Sequence, residues 1–289
     1  MSGSRLSLVA CTLVCCAAIG GALSVFFSPF LAPSRSLPPR MTDATAAARN
    51  PIGNSMYAPP KPEDAPADIR DAVLLGYNIM VKTREYAAPF VGNQLTCTSC
   101  HFNGGITKGP EAGGGLSLVG VAAKYPIYRQ RELGSVDLTT RTNNCFERSM
   151  NGKPLPPDSK EMTALITYYQ WISKGVPIYA EVPWLGLPAL KGDHTPNPTA
   201  GKVVYSEKCA ACHGKEGEGN LIGPPLWGPG SFNNGAGMHR LPTFAAFTYY
   251  NMPKGNPGLT VEESLDVAAY VATKPRPQFR GARPPASGT

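Results

Sequence analysis

The five-residue string Cys-x-x-Cys-His occurs twice, as Cys97-Thr98-Ser99-Cys100-His101 and as Cys209-Ala210-Ala211-Cys212-His213, with the boxes 112 residues apart. Each box offers two thiols and an imidazole on a single turn. That set bonds both vinyl groups of a haem and binds its iron from one face. A zinc site would need a second Cys or His pair about 15–20 residues away, and none occurs. A redox dithiol has no use for the trailing histidine, still less twice. Two covalently attached haem c groups are therefore expected. The other cysteines make no disulfide framework: Cys11, Cys15 and Cys16 fall in an N-terminal apolar stretch, and only Cys145 is left over.

The boxes sit in two copies of one unit, each with an early helix, the box, a Gly/Pro-rich loop and a closing helix. In the first copy, Asp68 to Tyr86 carries apolar residues at helical spacing (Ile69, Val73, Leu74, Tyr77, Met80, Val81). Its closing helix is expected over Ser159 to Ser173, opened by Asp158 with Glu161 as a capping box. In the second copy Thr199 is expected to cap the early helix. The closing helix is expected over Val261 to Ala272, with Thr260 and Glu263 as the box. Glycine and proline number 31 and 30 of 289 residues, which favours loop-rich domains whose core is largely the cofactor. The fold expected is mainly α, with two tandem class I cytochrome c-like domains, each wrapped around one covalent haem c. Residues 67–176 form the first domain, 177–198 a proline-rich linker, 199–274 the second domain and 275–289 a Pro-rich tail.

Ahead of these domains, residues 1–30 read as a membrane anchor or signal peptide and 31–66 as a Pro/Ala-rich tether. Leu6 to Phe27 is a 22-residue stretch without a charge, longer than the 7–15 residues of a usual signal and long enough to span. Arg5 on the cytoplasmic side puts the rest of the chain in the periplasm, tethered to the inner membrane by an uncleaved helix or released by cleavage. The net charge is +7, but Lys and Arg are scattered without runs, which argues against nucleic acid as a partner and is compatible with a small anion.

An electron carrier and an enzyme part at the sixth ligand of each iron. For the second haem, Met252 opens a Met-Pro-Lys-Gly string 39 residues past His213, where small c-type domains generally carry a distal methionine. Met238, His239 and Lys254 are the other candidates. For the first haem, Cys145 lies 44 residues past His101, in the position that matches Met252 by the repeat, and Met150 is its neighbour and rival. Cys145 sits in a run read as a polar loop, Arg141-Thr142-Asn143-Asn144-Cys145-Phe146-Glu147-Arg148-Ser149, a poor setting for a core residue. Its cationic neighbours favour the thiolate, the form that binds metal or attacks sulfur.

That run, with the two boxes and Tyr249-Tyr250-Asn251-Met252-Pro253, closely resembles the dihaem thiosulfate dehydrogenases over roughly residues 68–275. The resemblance implies oxidation of two thiosulfates to tetrathionate, in a reaction open to reversal. Electrons would pass from haem 1 to haem 2 and on to an external acceptor such as a cytochrome c. It implies His101 and Cys145 as ligands of a catalytic haem 1, His213 and Met252 as ligands of haem 2, and Arg131, Arg141 and Ser149 around the anionic substrate. Where some members have a lysine before the methionine, this chain has Asn251. Two other readings stand beside it: a tethered dihaem electron-transfer subunit, with Met150 on haem 1 and a passive Cys145, and a dihaem peroxidase.

Overall fold

The computed structural model describes residues 57–281; the apolar segment 1–30, most of the tether and residues 282–289 lie outside the described residues. Among the described residues no helix is long and apolar enough to cross a membrane.

Each copy of the repeat is built on two helices that cross at a glycine. In the first, α1 (Arg70–Val81) packs on α4 (Lys160–Ile172). Helix α1 buries Val73, Gly76, Ile79 and Met80, a stripe at helical period. A methyl group at Gly76 would overlap the backbone carbonyl of Ala164. In the second, α5 (Pro198–Lys208) packs on α8 (Val261–Ala272), where a methyl group at Gly201 would overlap the carbonyl of Asp266. Both crossings thus bring one backbone directly against another, which only glycine permits.

The expected helices are present, with three local differences. The early helix of domain 1 breaks at Lys82 and resumes as a short α2 (Thr83–Tyr86). The break frees the buried Thr83 hydroxyl to accept the Cys97 amide at 2.9 Å, which ties down the first box. Helix α4 is capped by Ser159, whose Oγ accepts the Met162 amide at 3.2 Å, and not by Asp158. Helix α5 is capped by Asn197 rather than Thr199, because Pro198 takes the first helical position, where a missing N–H costs nothing. At α8 the expected box is found, with the Glu263 amide donating to Thr260 Oγ1 at 3.1 Å and the Thr260 amide to Glu263 Oε2 at 3.0 Å.

The run around Cys145 is a helix, not a loop. Asp137 caps α3 (Leu138–Asn144), which continues into a π-helical turn, Cys145–Ser149. Its polar residues are spent inside the protein: Asn143 exchanges hydrogen bonds of 2.9 and 2.8 Å with the Leu155 backbone and Asn144 and Arg148 donate to Glu132, while Thr142, Phe146, Arg148 and Met150 are buried. A two-stranded antiparallel hairpin, β1 (Ile127–Arg129) and β2 (Gly134–Val136), precedes it. Short α6 (Ala210–His213) carries the second box, and α7 (Leu241–Asn251) leads to Met252.

The two domains share a core. Phe232 and Ala236, from the second half of the chain, are buried with the domain 1 cluster of Val73, Ile79, Leu165 and Tyr168, and Met238 and Phe244 pack against it. Domain 2's own cluster is small, five residues around Tyr205 and Trp227, as expected of a unit completed by a porphyrin. The linker is not free: Val182 and Trp184 are buried against Val119, with Trp184 Nε1 donating to the Val119 carbonyl at 2.9 Å. The Pro-rich end is fastened as far as Phe279, through hydrogen bonds from Gly228 to Pro275, Asn234 to Pro277 and Phe279 to Asn234.

Gly76→Ala is expected to cost the holoprotein about 1–3 kcal/mol, the usual penalty for overpacking. Gly258→Ala, at a position whose nearest neighbour would lie 3.9 Å away, is expected to stay within about 0.5 kcal/mol. Calorimetric melting of the two variants checks both; equal midpoints would contradict the crossing argument.

Candidate active site

The first box opens onto a cavity of about 670 Å³, within the size range of cofactor sites. Cys97, Cys100 and His101 form one side and Cys145, Phe146, Ser149, Met150 and Tyr169 lie among its other walls. The His101 ring donates from Nδ1 to the Leu116 carbonyl at 2.8 Å. That bond selects the tautomer and leaves Nε2 with its lone pair for a metal. His213 repeats the device on the Pro224 carbonyl, also at 2.8 Å. Burial pushes the His213 imidazole below its ordinary value, toward the neutral form a ligand requires; the bond to Pro224 works in the other direction. All five described cysteines are free thiols, so each box keeps both sulfurs for thioether attachment. Thiols, imidazoles and cavity together fit a covalently held haem.

Before haem attachment the three thiols of the first cavity ionise very differently. Burial pushes the Cys97 and Cys100 thiols up to about 12. Burial also opposes ionisation of Cys145, yet its thiol is lowered to about 6. The Arg141 charge does most of this, followed by hydrogen bonding and charge from His101 and the hydrogen bond from Arg141. Arg141 Nη1 donates to Cys145 Sγ at 2.8 Å, one helical turn away. In return the thiolate raises the Arg141 guanidinium above its ordinary value. Cys145 and the His101 ring both line the cavity. Met150, its rival, also reaches the cavity wall but is only 3% exposed and belongs to the apolar core.

The remaining residues expected from the sequence are partly gathered. Arg141 and Ser149 line the cavity, whereas Arg131 is not among its wall residues. Arg131 leaves the hairpin turn and donates through Nη2 to the Gly235 carbonyl of the second half of the chain. Burial there, reinforced by the charges of Arg148, Arg240 and Arg141, lowers it to about 10, with Glu132 acting the other way. Of the candidates near haem 2, Met238 packs on the domain 1 core and Lys254 lies over the Phe102 ring, 4.5 Å from its centroid. Met252 follows the last residue of α7.

Four cations on the cavity wall were not singled out from the sequence: Lys124, Arg129, Lys191 and Arg240. Arg129 ends β1, and Glu132 holds it at 3.5 Å while pairing with buried Arg148 at 3.1 Å. Lys191 belongs to the linker, whose stretch from Leu185 to Gly192 walls the cavity; its composition carried no signal of that.

A family model described as SoxA/TsdA, cytochrome c domain, matches residues 84–178, and one described as cytochrome c matches residues 198–274. A thiosulfate dehydrogenase of Allochromatium vinosum is 39% identical over 217 residues, covering 73% of this chain and 80% of that protein. One of Stutzerimonas stutzeri is 39% identical over 247 residues, covering 81% and 77%. One of Thiomonas intermedia is 36% identical over 276 residues, covering 92% and 84%. Among solved structures, the thiosulfate dehydrogenase TsdBA of Marichromatium purpuratum superposes with a TM-score of 0.73 at 34% identity, over 79% of this chain; the chain spans about half (51%) of that one. The two Cys-x-x-Cys-His boxes, the carbonyl-anchored histidines and these likenesses agree: the chain belongs to the thiosulfate dehydrogenase family, as a tandem cytochrome c carrying two covalent haem c groups.

Proposed function

We propose that this chain joins two thiosulfate ions, sulfur to sulfur, into tetrathionate at the cavity around Cys145, and passes two electrons through its second domain to an external acceptor such as a cytochrome c. The observation that carries this reading is the 2.8 Å contact between Arg141 Nη1 and Cys145 Sγ, in a cavity walled by Lys124, Arg129, Arg141, Lys191 and Arg240 with no carboxylate among the lining residues. Thiosulfate is a dianion, and bringing two together requires that their repulsion be offset. Guanidinium forks suit sulfonate oxygens.

His101 and Cys145 would hold one haem and His213 and Met252 the other, and the pair would supply one-electron acceptors. The protein's residues do the rest. Arg141 holds Cys145 as a thiolate and orients the sulfonate end of the first thiosulfate, with Ser149 beside it on the same turn. Cys145 Sγ, released from its role as a haem ligand, bonds to the terminal sulfur of that ion, and the two electrons released leave toward the haems. The terminal sulfur of a second thiosulfate then attacks the sulfur bonded to Cys145. The thiolate is expelled and tetrathionate is free, by the logic of thiol–disulfide exchange. Two thiosulfates thus give one tetrathionate and two electrons, with Cys145 regenerated. Because the exchange is symmetrical, the same residues serve tetrathionate reduction. Covalent haem attachment and the charge-free stretch after Arg5 support a periplasmic location with an N-terminal tether.

Cys145→Ala is expected to keep both haems, seen in the pyridine haemochrome spectrum, while kcat falls on the order of 10³-fold or more. Wild-type turnover in that variant would remove Cys145 from the mechanism. Arg141→Gln removes one charge-assisted donor and is expected to lower kcat/KM about 10–100-fold in steady-state assays with thiosulfate. Met150 on the cavity wall favours the competing reading, an electron-transfer subunit without chemistry of its own. Low-temperature electron paramagnetic resonance separates the two: a His/thiolate low-spin signal lost in Cys145→Ala supports the enzyme, and His/Met signals alone support the carrier.

A further inference from the structure

The two ligand spheres meet at one buried side chain. Asn251 ends α7, directly before Met252, and is 0% exposed. Its Nδ2 donates to the Phe247 carbonyl one turn back at 2.9 Å, which fixes the rotamer. Its Oδ1 is thereby aimed out of domain 2 and accepts the backbone amide of Gly115, 136 residues away, at 2.7 Å. Gly115 belongs to the bracket that holds the proximal histidine of the other domain. The next residue, Leu116, donates its amide to the Cys100 carbonyl at 2.8 Å and accepts the His101 ring on its own carbonyl at 2.8 Å. Contacts on either side keep the two segments together, with Phe102 edge-on to Phe247 at 6.0 Å between ring centroids and Lys254 over the Phe102 ring.

We infer that Asn251 is a positioning residue that couples the two haems, by fixing the Gly115–Leu116 bracket of His101 to the segment that presents Met252. The connection runs from the His101 ring through the Leu116 carbonyl and the Gly115 amide to Asn251 and its neighbour Met252. A carbonyl that accepts from a ligand histidine sets that ligand's orientation and basicity, so a shift of the bracket changes the metal's environment without touching it. Nothing replaces Asn251 in this role: without its oxygen the Gly115 amide is a buried donor with no partner, and the bracket must move to reach water. The ligand sphere of each haem then depends on the domain that carries the other. This inference rests on His101 and Met252 as iron ligands, a part of the functional reading that is checked separately from turnover.

The test uses the holoprotein with Asn251→Leu, which keeps the branched outline and removes the acceptor together with the donor to Phe247, and Asn251→Ala as a second, smaller variant. The expected result is a shift in the g-values and midpoint potential of haem 1, although Asn251 lies in the domain of haem 2. A weakening of the far-red methionine-to-iron band of haem 2 should accompany it. A merely structural role would lower thermal stability and leave the haem 1 signals in place, and that outcome overturns the inference. In the unmodified holoprotein, hydrogen exchange at the Gly115 amide should be slow, and fast exchange would overturn the inference with no variant needed. Absence of the far-red band from the unmodified protein would instead remove Met252 as a ligand, and the coupling with it, while thiosulfate turnover remained to be judged on Cys145.

Discussion

The bond from each box histidine to a carbonyl beyond its own Gly-rich loop is the constraint on which the rest is arranged. His101 reaches Leu116, 15 residues on, and His213 reaches Pro224, 11 residues on. Each bond fixes a tautomer and closes a loop in one step, so the conformation of the loop and the aim of the ligand nitrogen are the same quantity. The glycine-crossed helix pairs are the frame that makes such loops affordable. They pack backbone against backbone at Gly76 and Gly201 and leave the space beside the boxes for a porphyrin rather than for side chains. The small apolar cluster of domain 2 reflects the same division of labour between polypeptide and cofactor.

Domain 1 brings a π-helical turn with a thiol, held by Arg141 one turn earlier, into a cavity rich in cations. The contrast within the cavity is instructive: three cysteines share its low-dielectric interior, and only the one beside a guanidinium is lowered. Desolvation alone would have made Cys145 a poor nucleophile. Besides Arg141, the cations come from four separate places, the Lys124 turn, the hairpin at Arg129, the linker at Lys191 and the start of α7 at Arg240. No single domain contains the site.

The domains are correspondingly joined by buried polar contacts as well as shared core. Arg131 donates to Gly235, Asn233 donates to the Glu147 carbonyl at 2.8 Å and to Asn151 at 3.1 Å, and Asn251 accepts from Gly115. Buried hydrogen bonds of this kind add little net energy but are costly to leave unmade, and so they specify one relative placement of the halves. For a chain that carries two haems, one placement keeps their separation constant.

Sequence alone determined the features that are local in the chain: two haems from two five-residue boxes, the paired helices from apolar period, the α8 cap from Thr260 and Glu263, and Cys145 as the odd thiol among cations. These are legible because thioether attachment, capping and helical burial act over a few residues. Where the caps at Ser159 and Asn197 were missed by a residue or two, the competing signals were equally local and close in energy. The helix Leu138–Asn144 was hidden because its polar side chains find partners inside the protein, Asn143 on the Leu155 backbone and Asn144 on Glu132, and so look like a solvated loop in composition. Tertiary structure alone decided that the linker is a cavity wall, that Arg131 faces the second half of the chain while Arg129 and Arg240 face the site, and that Asn251 meets Gly115. Each depends on contacts between residues far apart in the chain, and no periodicity or spacing records which distant backbone a side chain will find.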